Sequence, residues 1–446
     1  MKPGKESDTS KLWKTIGDAY TFAFPLILMD ATKTAGTNTV EATPCKAPAN
    51  QFLHARQLAT ASFRQVVTPN VDTIYSQLFT DLSADALVIE KPAADRFLML
   101  QVMDAWSNSV AILGTGGDTN GARTYLLTGP GFRGTVPAGM TEVKMPTNMG
   151  WILGRTVCFG EEDLPNIYAI QEKLRARTLS VFTGGGRMPA GSYDRANDFV
   201  PIQKALSLGP GEYFGKFNEL LKGNPAFPAD AEAMKAFAPL GIGPGLRFDT
   251  SILGDGAEAA WAAMRRELLA HYQKEALRFM VRNGAFYSFG EPISRFGTEY
   301  GYRAAVAVSG FGANPVELAV YPKAAADSAG EALNGANRYV LRFNRGALPP
   351  VRDCGFWSIT AYGDDDFLID NELNRFCIND RSAVRFGEDG SLSIYLQAQK
   401  PEDPALAGNW LPVGDGGFHL FMRIYLPEKA VLDGSWKAPE IRKADQ

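Results

Sequence analysis

The sequence predicts a multidomain α+β protein: an N-terminal β-sandwich, a helical middle domain and a C-terminal jelly-roll-like β domain. Three observations carry this. The chain has 446 residues, more than one hydrophobic core usually serves. Its texture changes twice, from short strand-like runs to amphipathic helical stretches and back. Apolar residues make up 45% and charged residues 21%, the balance of an ordinary globular chain.

Residues 1–45 form a helical N-terminal segment in this reading, with Leu12, Ile16, Ala19 and Tyr20 at helical spacing until Pro25 breaks or kinks the helix. The apolar patch Tyr20 to Met29 is too short to span a bilayer, and the polar start "MKPGKESDTSK" lacks the pattern of a signal peptide. Residues 46–162 supply "DALVIEKP", "RFLMLQVMDAW", "ARTYLLTGP", "TEVKMPT" and "GWILGRTVC", strand-like runs divided by Gly/Pro clusters, hence a sandwich. Residues 163–298 turn helical in "NIYAIQEKLRART", "EYFGKFNELLKG" and a long stretch that places Trp261, Met264, Leu268, Tyr272 and Ala276 on one stripe. Asp255 is its expected N-cap and Gly284 its stop. From 299 to 446 strands return in "NRYVLRF", "GFWSITAYG", "SLSIYLQAQ" and "FHLFMRIYLP", at the spacing of a jelly roll or related sandwich.

Charge and motifs exclude several functions. The net charge is −4 without a long run of either sign, so nucleic acid is not an expected partner. The glycine clusters "GTGGDTNG" and "TGGGRMPAG" lack the Gly-Lys-Ser/Thr ending and the strand–helix setting of a phosphate loop, and read as surface loops. "YGDDDFLIDN" lacks calcium-loop spacing and reads as a solvated hairpin loop. No Gly-x-Ser-x-Gly elbow occurs, and neither the four cysteines nor the three histidines show zinc spacing, so no metal or cofactor is expected. Cys354 and Cys377 are near enough in sequence to form a bridge; the other reading is free thiols packed as small hydrophobes.

What remains is carboxylate chemistry. Asp72 in "VVTPNVDTIYSQLF" and Asp104 in "QVMDAWSN" both interrupt apolar strand-like runs, where an acid must be hydrogen-bonded or carry a shifted pKa. One reading makes them turn residues that hold their own backbone, as Asx motifs do. The other makes them the acid and base of an inter-domain cleft, with Asn70 and Tyr75 orienting them and Asn148 or Arg375 stabilising developing negative charge. Glu317 and Arg381 raise the same question, and Trp357 and Trp410 offer an alternative aromatic groove for a ligand.

The segments "DAYTFAFPLILMD", "VVTPNVDTIYSQ", "DAWSNSVAILGT", "PTNMGWILGRT", "GANPVELAVYP", "LPPVRDCGFWSITAY" and "NWLPVGDGGFHLFMRIYLPEKAVLDGSWKAPEI" resemble, in order and over nearly the whole chain, the two-part bacterial family of domain of unknown function 1254 followed by domain of unknown function 1214. The resemblance implies the same sandwich, helical segment and jelly-roll-like domain. It also implies a periplasmic or secreted protein, the alternative being cytoplasmic since no leader is visible. The jelly-roll half is similar in architecture to domains of a glycan-removing amidase. The functional expectation, motivated by the density of Asn, Asp and Tyr inside strand-like segments, is a cofactor-independent hydrolase acting on a glycan, peptidoglycan fragment or small amide, the resemblance adding only to the glycan or amide substrate class. The alternative is a non-catalytic cell-envelope protein that binds a ligand or partner. A small-molecule or glycan ligand and a homo-oligomer are the expected partners, without a membrane span.

Overall fold

The computed structural model describes residues 8–64 and 66–444; most of the polar start, residues 1–7, lies outside them. The first element is a helix, α1 (Asp8–Gly36), and it runs without interruption through Pro25, contrary to the expected break. Ile16, Phe22, Phe24, Leu26 and Met29 are all buried, on every side of the helix. A helix apolar all round must be enclosed by protein, and that packing holds the turn from which Pro25 withholds an N–H. Among the described residues no helix is long and apolar enough to cross a membrane.

The first β module follows. Its strands are β1 (Leu53–His54), β2 (Thr73–Asp81), β3 (Leu87–Lys91), β4 (Leu98–Asp104), β5 (Ser109–Gly114), β6 (Arg123–Thr128), β7 (Thr141–Lys144) and β8 (Met149–Val157). After α2 (Leu164–Gln171) the chain returns as β9 (Arg175–Thr178) and a short α3 (Leu179–Phe182). One sheet has the order β1-β2-β8-β4-β5 and the other β7-β6-β3-β9. The end of "NIYAIQEKLRART", expected as helix, is thus the strand that pairs with β3. Leu78, Leu100 and Ile152 of the first sheet share a core with Leu87, Ile89 and Leu127 of the second.

The middle contains α4 (Pro201–Ser207), α5 (Pro210–Leu220), α6 (Ala231–Phe237) and α7 (Ala257–Arg278), then a hairpin of β10 (Met280–Asn283) and β11 (Phe286–Phe289), then α8 (Tyr300–Ser309). α7 carries the expected stripe, with Trp261 and Tyr272 buried. Its N-cap is Gly256 rather than Asp255, and it stops at Arg278, before the hairpin whose turn uses the positive φ of Gly284. These helices enclose α1, and the shared core continues onto the first sheet through Phe79, Met103, Trp151 and Leu153.

The second β module comprises β12 (Ala319–Val320), β13 (Lys323–Ala324), β14 (Tyr339–Phe343), β15 (Val351–Gly363), β16 (Cys377–Asn379), β17 (Leu392–Gln397), β18 (Trp410–Pro412) and β19 (Phe418–Pro427), then α9 (Lys429–Leu432) and β20 (Ile441–Lys443). The larger sheet runs β10-β11-β13-β19-β15-β16 with β12 also on β19; the smaller is β18-β17-β14-β20. The pairings are antiparallel except β6 with β7 and β17 with β18. The two modules meet at an apolar seam where Phe97, Met99 and Val157 pack against Leu318, Phe356 and Tyr425.

Candidate functional site

Two polar clusters lie at this junction. The first centres on Asp72, whose side chain is fully buried. The backbone N–H of Asp72 donates to Asn70 Oδ1 at 2.7 Å, so the expected Asx corner exists and Asn70 makes it. The Asp72 carboxylate instead reaches into the second module. It accepts from Arg381 Nη2 at 2.8 Å, Ser358 Oγ at 2.5 Å and Asn379 Nδ2 at 3.4 Å. Arg381 also donates to Asp380 and lies over the Phe356 ring, 4.9 Å from its centroid. The group is a satisfied ion pair clamping one module to the other.

The second cluster follows from strand alternation. Opposite one another on β2 and β8 stand Tyr75 and Arg155, and opposite Arg155 on β4 stands Met99. Arg155 is 5% exposed. Its guanidinium donates to Gln101 Oε1 at 3.0 Å, Asn314 Oδ1 at 3.1 Å and Gly312 O at 3.3 Å, all neutral acceptors. Nε has no hydrogen-bond partner, and no ion pair to Arg155 occurs among the described residues. Around it stand the Tyr75 ring, 5.6 Å from the guanidinium carbon, and the Tyr321 and Tyr425 phenols. Asn314 Nδ2 donates to Tyr321 Oη at 2.5 Å and Asn70 Nδ2 to Tyr425 Oη at 2.7 Å. Burial raises the Tyr425 hydroxyl well above its ordinary pKa, with Tyr321 and Tyr75 adding to the effect, so it supplies no counter-charge at neutral pH. Tyr75, Tyr321 and Asn70 are only partly buried.

The expected pairing of Asp72 with Asp104 is not formed. The carbonyl of Asp72 accepts from Cys158 N beyond one end of β8, whereas Asp104 lies opposite Gly150 near the other. Eight residues of strand separate these positions, about 26 Å at roughly 3.3 Å per residue, against the roughly 5–10 Å that a two-carboxylate site spans. Asp104 closes the tight β4–β5 turn: its Oδ1 accepts from Trp106 N at 2.8 Å and Asn108 N at 2.9 Å, and Ser107 takes a φ of 65°. Burial pushes its pKa up to about 6, against the pull of the Asn108 and Trp106 bonds and of Arg303.

Asn148 lies at the Asp104 end, its N–H bonded to Gly223 O at the end of α5. Arg375 donates to the carbonyls of Ala407 at 2.6 Å and Trp410 at 2.9 Å, holding loops inside the second module away from Asp72. Of the six expected site residues, Asn70 bonds the backbone of Asp72, Tyr75 stands instead at Arg155, and Asp104, Asn148 and Arg375 are engaged elsewhere. Trp357 and Trp410 are 4% and 3% exposed, too buried to form the alternative groove. Glu317 pairs with Arg295 at 2.6 Å. In the aspartate loop, Asp365 binds Arg64 and Asp366 binds Lys323, and a bridge from Tyr362 to Leu368 closes its turn. All four cysteines are free, with Cys45 and Cys354 exposed rather than buried. No group of three or more His, Cys, Asp or Glu side chains gathers as a metal site among the described residues.

Two cavities lie on the first module. One of about 340 Å³ is bounded by Phe52, His54, Arg175 and Arg177, and Arg177 already pairs with Glu90 at 2.5 Å. The other, about 240 Å³, lies where α1 and the start of α4 meet the sheet face that carries Tyr75 and Arg155, and is lined by Ala35, Lys46, Leu53, Gln77, Phe79 and Trp151.

Fold and site together define a two-module α+β protein whose modules meet over a buried arginine without a counter-ion. The chain belongs to the two-part family of proteins of unknown function in which DUF1254 (here residues 49–178) precedes DUF1214 (residues 318–429). The crystal structure of the VPA0106 protein from Vibrio parahaemolyticus is similar over 97% of this chain and 100% of its own, with a TM-score of 0.73 at 22% identity, which establishes a shared fold. A putative uncharacterized protein from Burkholderia cenocepacia matches over 98% of this chain and 95% of its own with a TM-score of 0.46 at 12% identity. No curated protein matches the chain.

Proposed function

We propose that the protein binds a small anionic ligand at the junction of its two β modules, with Arg155 recognising the charge. The observation that carries this reading is the state of Arg155: buried, bonded only to neutral acceptors, with Nε unsatisfied. Taking an ion out of water costs several kcal/mol even after relaxation, and buried charges are ordinarily paired. A fold that keeps such a cation beside partly buried tyrosines offers an anion both a counter-charge and hydroxyl donors. A hydrolase working through Asp72 and Asp104 has less support, because the carboxylates stand apart and Asp72 is engaged by Arg381. For the finer architecture we propose a β-sandwich in the first module, supported by its shared two-sheet core, and a jelly-roll-like second module.

Thermal melts at constant ionic strength with chloride, acetate, phosphate and sulfate test the reading. A ligand at a hundred times its Kd adds about 2.7 kcal/mol of stability. At least one oxyanion should raise Tm in the wild type, and Arg155→Met should remove that rise. Tyr321→Phe, which keeps the ring, should weaken it and serves if Arg155→Met does not fold. No oxyanion-specific rise, or one that persists in both variants, overturns the reading.

A further inference from the structure

The sheet face that presents Arg155 continues into the 240 Å³ cavity, and its course limits what the anion can be. Along β2 the same-face side chains are Tyr75, Gln77 and Phe79, opposite Arg155, Leu153 and Trp151 of β8. The β8 side is sealed. A Cβ on Gly312 would lie 2.9 Å from the Trp151 ring and 3.4 Å from Leu153, and the Phe311 ring lies 5.8 Å from that of Trp151. On the β2 side Tyr75 and Gln77 are only partly buried, Tyr75 packs against the core around α1, and Gln77 lines the cavity. From Tyr75 to Phe79 is four residues, about 13 Å at roughly 3.3 Å per residue.

The far end differs chemically from the Arg155 end. Phe79 and Trp151 stack with centroids 5.4 Å apart and with Leu53 and Ala35 supply the apolar wall; Thr32, Cys45 and Lys46 also line the cavity, the Lys46 ammonium already paired with Asp198 at 2.9 Å. The buried Trp151 indole N–H has no acceptor among the described residues. The volume is below the roughly 300–1,000 Å³ of sites that enclose a drug-sized molecule, which fits a slender group.

We infer that the ligand is an amphipathic carboxylate: its head meets Arg155 and Tyr75, and its medium-length hydrocarbon tail runs along β2 past Gln77 into the cavity at Phe79 and Trp151. This rests on the anion-binding reading and adds the ligand class to it. An inorganic oxyanion would use the charged end and leave the apolar wall without a role.

The test is calorimetric titration of the wild-type chain with acetate, butanoate, hexanoate and octanoate, and with 1-octanol as the uncharged control. Affinity should rise about three- to fourfold per methylene, the increment that burying one CH₂ gives, until the cavity is filled. Octanol should bind at least tenfold more weakly than octanoate. Ala35→Leu, which adds bulk to the cavity wall, should flatten the chain-length dependence. Thr32→Leu, on the same wall, serves if Ala35→Leu does not fold. Carboxylates that bind with no dependence on chain length overturn the inference and leave anion binding standing. Octanol matching octanoate, or no binding by any carboxylate, overturns both.

Discussion

Replacing Asp72 by Asn isolates the clamp between the modules from the anion site beside it. Asparagine keeps the shape: its carbonyl can face Arg381 Nη2 where the carboxylate now sits at 2.8 Å, and its NH₂ can donate to Ser358 Oγ, which is able to accept as well as donate. What is lost is the charge. Removing one partner of a buried pair costs about 3–5 kcal/mol, because the other charge is left in low dielectric. Arg381 is 19% exposed on its side chain and keeps Asp380 at 2.5 Å, which places the expected loss near the lower end, about 3 kcal/mol. An exposed pair would instead be worth about 1 kcal/mol or less. Urea unfolding at pH 7 followed by tryptophan fluorescence measures the difference, as a lowered midpoint at unchanged slope. Since the pair spans both modules, Arg381→Leu in the Asp72→Asn background should add less than it does alone. A midpoint shift worth under 1 kcal/mol, or strict additivity of the two changes, would refute the clamp.

Other consequences follow from the neighbouring geometry. Asp104 has a folded pKa of about 6, above the 3.8 it has when unfolded, so the folded state binds the extra proton between those values. Stability should therefore fall as pH rises from about 4 to about 6, by an amount on the order of 3 kcal/mol; Asp104→Asn should flatten that part of the profile, and an unchanged profile contradicts the assignment. Gly312 has a φ of 82°, and its added Cβ would press on the Trp151 ring. Gly312→Ala should cost about 2 kcal/mol from left-handed strain alone, read as a lowered Tm, with weakened carboxylate binding because the carbonyl that holds Arg155 shifts.

Much of the fold was legible because its strands alternate strongly or are continuously apolar and are bounded by Gly/Pro clusters: "FHLFMRIYLP" is β19 and "GWILGRTVC" holds all of β8 but its first residue. The misread positions are those where tertiary contacts override local preference. Pro25 is carried inside a helix enclosed on all sides, Arg175–Thr178 becomes a strand because β3 offers an edge, and Gly284 serves a hairpin rather than a helix end. The corner at Asn70 was readable from its Asx chemistry, but the reach of Asp72 to Arg381, 309 residues away, was not. Arg155 left a signal in "WILGRTV", a lone guanidinium in an otherwise apolar strand, as did Arg423 in "FMRIYL". Attention to carboxylates alone passed over it. Tyr321 and Tyr425 carry no such mark, since tyrosine is an ordinary strand residue, and only the meeting of the modules brings them to Arg155.

The most direct test of the central claim is a crystal structure of the protein with the carboxylate that titrates most tightly. The account predicts carboxylate oxygens about 2.7–3.2 Å from the Arg155 guanidinium, with Tyr75 or Tyr321 completing the contact and the tail lying along β2 toward Phe79. Ligand density confined to the cavity at His54 and Arg175, or Arg155 still bonded only to Gln101, Asn314 and Gly312 at saturating ligand, would contradict it.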